Sequence, residues 1–159
     1  MMRIPRVYIE TSVFNFVFAD DAPDKKQDTL LFFEEIRSGL YYPYTSDYVL
    51  QELQNTAFPK GGWMIDLITQ YKMTVLDLNE EAERLAGIYI DEGVISAKHF
   101  VDAVHIAMVT VNDLDFIVSF NFRHIVKRKT MNMTESINIR EGYKRIGIHS
   151  PTEVIHNDE

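Results

Sequence analysis

Five short apolar segments recur along this chain, each set off from the next by stretches whose apolar residues fall at helical spacing, and this alternation constrains the fold more than any other feature. It is the pattern of a layered α/β domain built on a mostly parallel sheet. The strands it predicts run from Arg6 to Glu10, Tyr41 to Tyr44, Met73 to Asp77, Phe116 to Ser119 and Ile146 to His149.

The segments between them read as helices. "SVFNFVF" follows the first strand. Asp24 to Ser38 comes next, with Leu30, Leu31, Phe33 and Ile36 as its core-facing stripe and Gly39 closing it. Thr45 or Ser46 caps a helix that reaches Asn55, and "AFPKGG" breaks the chain before another from Trp63 to Tyr71. Asn79 caps "EEAERLAGIYIDEG", whose first-turn acids suit the helix dipole. "SAKHFVDAVHIAMVTVND" is apolar nearly all round and belongs beneath the sheet. "SPTE", residues 150 to 153, has a Ser cap, Pro at the first helical position and Glu three residues beyond the cap, and so opens a short last helix.

With 159 residues, 46% of them hydrophobic and 25% charged, and no Pro/Gly/Ser-rich linker, the chain reads as one domain spanning 1–159. No apolar run approaches the roughly 18 residues of a membrane span, and the start "MMRIPRVYIE" is too short and charged for a secretory signal. A cytoplasmic location with no membrane partner is therefore expected. The absence of cysteine leaves oxygen and imidazole as the available metal ligands. A net charge of -8 argues against nonspecific coating of nucleic acid, which depends on Lys and Arg. Residues 122–145 nevertheless carry seven Lys or Arg against two Glu, so about +5 locally. That stretch is either a solvated basic face or a phosphate-contacting rim.

Ligands of open parallel sheets bind outside the carboxyl ends of the strands, and acids fall there. In "RVYIETSVF" Glu10 ends an apolar strand, where an unpaired carboxylate is costly to bury. Glu52, on the helix after the second strand, reads in isolation as an ordinary solvent-facing acid. Asp102 interrupts an otherwise apolar helix and shares a face with His105 at i, i+3. These two residues read either as a hydrogen-bonded acid with a satisfied core histidine or as parts of a site. Ser119, Phe120 and Asn121 end the fourth strand in polar groups, which also suits a plain turn. Clustered oxygens without cysteine match hard cations such as Mg²⁺, and three carboxylates with an amide would make a metal-dependent phosphodiesterase site. Periodicity does not establish that they converge.

Taken in order, "VYIETSV", "TSDYVLQEL", "FVDAVHIAMV", "FIVSFNFRHI" and "HSPTEVI" resemble the PIN-domain family, including the ribonuclease toxins of bacterial toxin and antitoxin pairs, along nearly the whole chain. The resemblance implies a three-layer α/β/α sandwich around a mostly parallel sheet of about five strands. It also implies a metal-dependent endoribonuclease that hydrolyses RNA to 5′-phosphate and 3′-hydroxyl ends. By position the family's acids fall on Glu10, Glu52 and Asp102, with Asn121 where a fourth acid is often found. Two positions depart from the usual Asp: Glu10 is one methylene longer, and Asn121 is neutral.

On this reading Glu10 and Asp102 hold Mg²⁺ or Mn²⁺, Glu52 orients or deprotonates the attacking water, and Asn121 polarises a ligand water or contacts phosphate. Ser12, Ser119 and His105 support them, and Arg123, Lys127, Arg128 and Lys129 steer the RNA backbone. A cognate antitoxin is implied as partner, and a homodimer is expected. "VFNFVF" and "LLFFEEI" read first as core, with a dimer or antitoxin groove as the other reading. The departures leave two alternatives open: a catalytically weakened module that binds RNA or protein, and another metal-dependent phosphodiesterase or DNA nuclease.

Overall fold

Val7, Tyr8 and Ile9 are successive residues, and all three are fully buried. A strand achieves this only when both faces of its sheet are covered. They belong to β1 (Arg6–Ile9) of the computed structural model, which describes residues 3–156. The other strands are β2 (Tyr42–Ser46), β3 (Thr74–Leu76), β4 (Phe116–Val118) and β5 (Gly147–His149). Every pairing is parallel and the order is β3-β2-β1-β4-β5, which puts β1 at the centre. The chain winds outward from β1 through β2 to β3, then crosses back to lay β4 on the other side of β1. The switch point therefore lies between β1 and β4, where a ligand crevice is expected in a doubly wound sheet.

The helices are α1 (Thr11–Phe16), α2 (Pro23–Arg37), α3 (Asp47–Gln54), α4 (Lys60–Gln70), α5 (Glu80–Asp91), α6 (Phe100–Val111), α7 (Arg128–Arg140) and α8 (Pro151–Val154). The architecture is the expected three-layer α/β/α sandwich. Ser46 caps α3 by accepting from Val49 N–H, Asn79 caps α5 by accepting from Ala82 N–H, and Ser150 with Glu153 forms the predicted capping box of α8. Gly39 closes α2 with φ +86°, a left-handed conformation that suits glycine. From Ala103 to Thr110 every residue of α6 is buried, as its all-round apolar sequence predicts.

Three sequence readings are corrected. The buried side of α2 is Thr29, Phe32, Phe33 and Ile36, whereas Leu30 and Leu31 are exposed. α4 begins at Lys60, inside the stretch that reads as a break. α7 has no counterpart in the sequence reading, because its inward face is Thr130, Thr134, Ile137 and Asn138, which is mostly polar and leaves no apolar stripe to detect. Two of those polar groups are paired internally: Thr130 Oγ1 donates to the His124 carbonyl at 2.8 Å, and Asn138 joins Tyr89 and Thr110, whereas the Thr134 hydroxyl is buried with no hydrogen-bond partner among the described residues. The aromatic segments divide between core and surface. Val13, Phe14, Phe32 and Phe33 are buried, while Phe16, Val17 and Phe18 are partly so.

Candidate active site at the carboxyl edge of the sheet

Glu10 immediately follows β1, and only 4% of it is exposed. It is also the N-cap of α1: its Oε2 accepts from the Ser12 N–H at 3.2 Å. Ser12 Oγ and Ser119 Oγ both donate to Oε1, the former at 2.6 Å. The two hydroxyls are held in turn by the loop after β4, since Phe120 N–H donates to Ser12 Oγ at 2.8 Å and Asn121 N–H to Ser119 Oγ at 2.9 Å. The carboxylate of Glu10 is thus pinned across the β1/β4 switch point by neutral donors.

Asp102 lies in the first turn of α6 and accepts at Oδ2 from the Asn121 side-chain amide at 3.3 Å. The other end of that amide, Oδ1, accepts from His124 N–H at 2.9 Å, so Asn121 ties α6 to the β4 loop. Glu52, on α3, has a side chain 39% exposed. It accepts at Oε1 from Thr11 Oγ1 and from His105 Nε2, each at 2.7 Å.

His105 is the hub that relates these acids. It is wholly buried, and its other nitrogen, Nδ1, lies 2.7 Å from the Tyr8 hydroxyl, which itself bonds Ser46 Oγ at 2.7 Å. A continuous polar chain therefore runs through the core from Ser46 to Tyr8, His105, Glu52 and Thr11. Burial pulls the imidazole pKa down, but the hydrogen bond to Glu52 and the charges of Glu10, Glu52 and Asp102 outweigh it and leave the value raised. All three acids thus act on one imidazole. His105 is a satisfied core histidine, and one of its two partners is the Glu52 carboxylate.

The acids themselves differ. Burial raises Glu10, against the opposing pull of His105, Ser119 and Ser12. Burial likewise raises Asp102, with His105 and His124 pulling the other way. For Glu52 burial also pushes upward, but the His105 hydrogen bond and charge, with Thr11, more than offset it and the value falls. Glu52 is the acid held ionised, while Glu10 and Asp102 lack enough positive charge nearby. Among the described residues no lysine or arginine pairs with any of the three.

Arg123, Arg128 and Lys129 are exposed and Lys127 is half-buried, along the loop and helix start that follow Asn121. The far half of the same basic stretch is engaged elsewhere: Arg140 with Glu92 and Glu141, Lys144 with Asp113 and Asp115, Arg145 with Glu135. Sequence reasoning missed Tyr8, Ser46 and Thr11 as polar partners. It also missed His99 and His124, whose rings stack beside Asp102 with centroids 3.8 Å apart. The aromatic pair Phe120 and Phe122 flanks Asn121, and Lys25 Nζ lies over both rings at 5.9 and 5.6 Å.

No family model matches the sequence, and no curated protein matches it. Solved structures do. The chain is similar to Mycobacterium tuberculosis VapC20, a Sarcin-Ricin loop cleaving toxin, with a TM-score of 0.56 and 14% identity over 88% of this chain and 98% of that one. It is also similar to VapBC2 from Rickettsia felis bound to a DNA fragment from their promoter, with a TM-score of 0.54 and 12% identity over 91% of this chain and 98% of that one. The likeness is one of fold, and the fold is the PIN-like one.

Proposed function

From this PIN-like fold and the acids at its carboxyl edge we propose that the chain is a metal-dependent endoribonuclease, the cytoplasmic toxin of a toxin and antitoxin pair. The observation that carries the reading is the set of Glu10, Glu52 and Asp102 acting on one buried histidine, with no lysine or arginine among the described residues to neutralise them. Burying acids without a full counter-charge is costly, because an uncompensated charge out of water costs several kcal/mol or more. The similarity in fold to a toxin that cleaves the Sarcin-Ricin loop supports RNA as the substrate class, and the VapBC2 likeness supports an antitoxin partner. A homodimer completes the proposal. No helix among the described residues is long and apolar enough to cross a membrane.

The donor set fits a hard divalent cation. Glu10 and Asp102 offer carboxylate oxygens, and burial without a counter-charge raises both pKa values. These two residues would hold Mg²⁺ or Mn²⁺. Such a cation, when bound, supplies a water acidic enough to attack phosphorus near neutral pH and neutralises charge on the leaving oxygen.

The protein's own groups supply the rest. Ser12 and Ser119 fix the rotamer of Glu10, so that one methylene of extra length does not become conformational freedom. Glu52, ionised and half-exposed, is the proton acceptor for the attacking water, and His105 orients it through the Nε2–Oε1 hydrogen bond. Asn121 orients the Asp102 carboxylate through its amide. Arg123, Lys127, Arg128 and Lys129 hold the RNA backbone beside the acids, offsetting the repulsion an acidic pocket exerts on phosphate.

Cleavage of a mixed single-stranded RNA pool with Mg²⁺, with Mn²⁺ or with EDTA, by wild type beside Asp102→Asn, tests the reading. Cleavage that needs metal and is lost in the variant is the expected result. Silence from both proteins in every metal would turn the assignment to a PIN-fold module that binds RNA or protein without cleaving it.

A further inference from the structure

Asp102 also neighbours a second set of ligating groups. One donor atom each from His99, Asp102 and His124 lies within 4.8 Å of the others. The geometry points to these three residues as the binding site of one divalent transition-metal ion of the Zn²⁺ class, distinct in ligand chemistry from the oxygen-only position of Glu10.

The positions of the three are set by backbone rather than by chance surface contact. His99 is the N-cap residue of α6 and Asp102 lies in its first turn, so both project from one helix face at i, i+3. His124 arrives from the loop after β4. That loop is closed on Asn121, whose carbonyl accepts from Ile125 N–H at 3.1 Å and Val126 N–H at 2.8 Å. The His124 carbonyl is anchored by Thr130 Oγ1. Asn121 then bridges two of the three ligand residues directly, donating to Asp102 Oδ2 and accepting from His124 N–H. Partners that hold ligands in this way are what distinguish a built site from neighbouring side chains.

The chemistry selects the ion. Imidazole suits Zn²⁺, Ni²⁺, Co²⁺ and Cu²⁺, whereas Mg²⁺ prefers oxygen and water. Three protein ligands leave open coordination positions, and all three residues are partly solvent-accessible, so an entry path exists. Donor atoms sharing one tetrahedral zinc at about 2.0–2.1 Å lie about 3.3 Å apart, so from separations within 4.8 Å closure asks for at most about 1.5 Å between any two of them.

Two imidazoles here stand next to Asn121, the position where the family resemblance leads one to look for a fourth acid. The site thus brings nitrogen ligands to the neighbourhood of a position where the resemblance implies an acid. It draws on the same Asp102 that the nuclease reading uses, but ion binding is measured without RNA and stands whether or not the acid pocket cleaves.

The test is calorimetric titration of metal-stripped, untagged protein with Zn²⁺ in excess Mg²⁺, which competes for carboxylate oxygen and not for imidazole. Wild type should bind one Zn²⁺ per chain. His99→Ala and His124→Ala should each weaken binding at least about tenfold, while His156→Ala, a remote exposed imidazole, should leave it unchanged. Circular dichroism checks that each variant folds. In wild type, Zn²⁺ should also shift the ring proton resonances of His99 and His124 and not those of His156, a readout that needs no variant. Absence of stoichiometric binding, wild-type affinity in both His99→Ala and His124→Ala, or equal loss in His156→Ala would overturn the assignment.

Discussion

At the amino edge of the sheet Asp115 accepts from the Arg6 N–H at 2.7 Å and pairs with Arg3 and Lys144, whereas at the carboxyl edge Glu10 and Asp102 meet no lysine or arginine among the described residues. The same residue types give opposite electrostatics. For Asp115 burial pushes the pKa up, but the Arg6 N–H and the Arg3 and Lys144 charges more than reverse it, and the value is lowered. For Glu10 and Asp102 burial prevails and the values are raised. Asp115 is surrounded by cations of the protein, while Glu10 and Asp102 are left without a comparable counter-charge, as the proposed cation site requires.

The largest effect should come from breaking the carboxyl edge. Asp102→Asn should lower RNA cleavage by about 10²–10⁴-fold, with a thermal midpoint at pH 7 no lower than that of wild type, because the change removes a charge that the fold does not pair. Asp115→Ala should do the reverse, costing about 1–3 kcal/mol in urea unfolding through the bonds it leaves unmade and leaving cleavage within about twofold of wild type per mole of folded protein. If Asp102→Asn unfolds the protein and Asp115→Ala abolishes cleavage, the contrast between the two edges is wrong.

Stability against pH sharpens the contrast. His105 has a raised pKa in the fold, so its contribution is fully present below its unfolded value of about 6.5 and is lost as pH rises through the folded value. Asp115 has a lowered pKa, so its contribution is present above about 3.9 and is lost as pH falls through the folded value. His105→Gln should therefore cost about 2–4 kcal/mol near pH 6, by breaking the chain from Tyr8 to Glu52, and progressively less as pH rises. The deficit of Asp115→Ala should instead shrink in acid. Denaturant midpoints of both variants across the pH range check the two slopes, which must have opposite sign.

The two edges also differ in how readable they are from sequence. The strands are legible because buried parallel strands are plain apolar runs, and Glu10 and Asp102 stand out because an acid in such a run or in an apolar helix is costly. Glu52 looks ordinary by itself, since nothing in "SDYVLQEL" reveals the histidine that holds it. Tyr8 passes as one more apolar strand residue, because a period of two gives the face a side chain points to and not the partner of its hydroxyl. His99 and His124 are far apart in sequence and meet only because the β4 loop returns beside α6. α7 escapes because Thr130, Thr134 and Asn138 bury polar groups where an apolar stripe is sought. Leu30 and Leu31 mislead for the converse reason: hydrophobicity marks them for the core, but the face α2 presents inward is the one that carries Thr29.

The smallest expected effect divides the basic stretch itself. Arg140, Lys144 and Arg145 are spent on Glu92, Asp113, Asp115, Glu135 and Glu141, so their charge is already balanced within the protein. Arg123, Lys127, Arg128 and Lys129 follow Asn121, and among the described residues none of them pairs with an acid. Counterion release on RNA binding depends on cations that meet phosphate rather than on those that meet carboxylate. Arg128→Ala with Lys129→Ala should therefore weaken binding of single-stranded RNA several-fold and flatten the dependence of log K on log salt by about 0.7 for each phosphate no longer neutralised. Arg145→Ala, which removes the same formal charge per residue from the far half, should leave that slope unchanged. Equal slopes for the two halves would mean that net charge alone attracts RNA, and that the rim beside Asn121 has no special place in holding it.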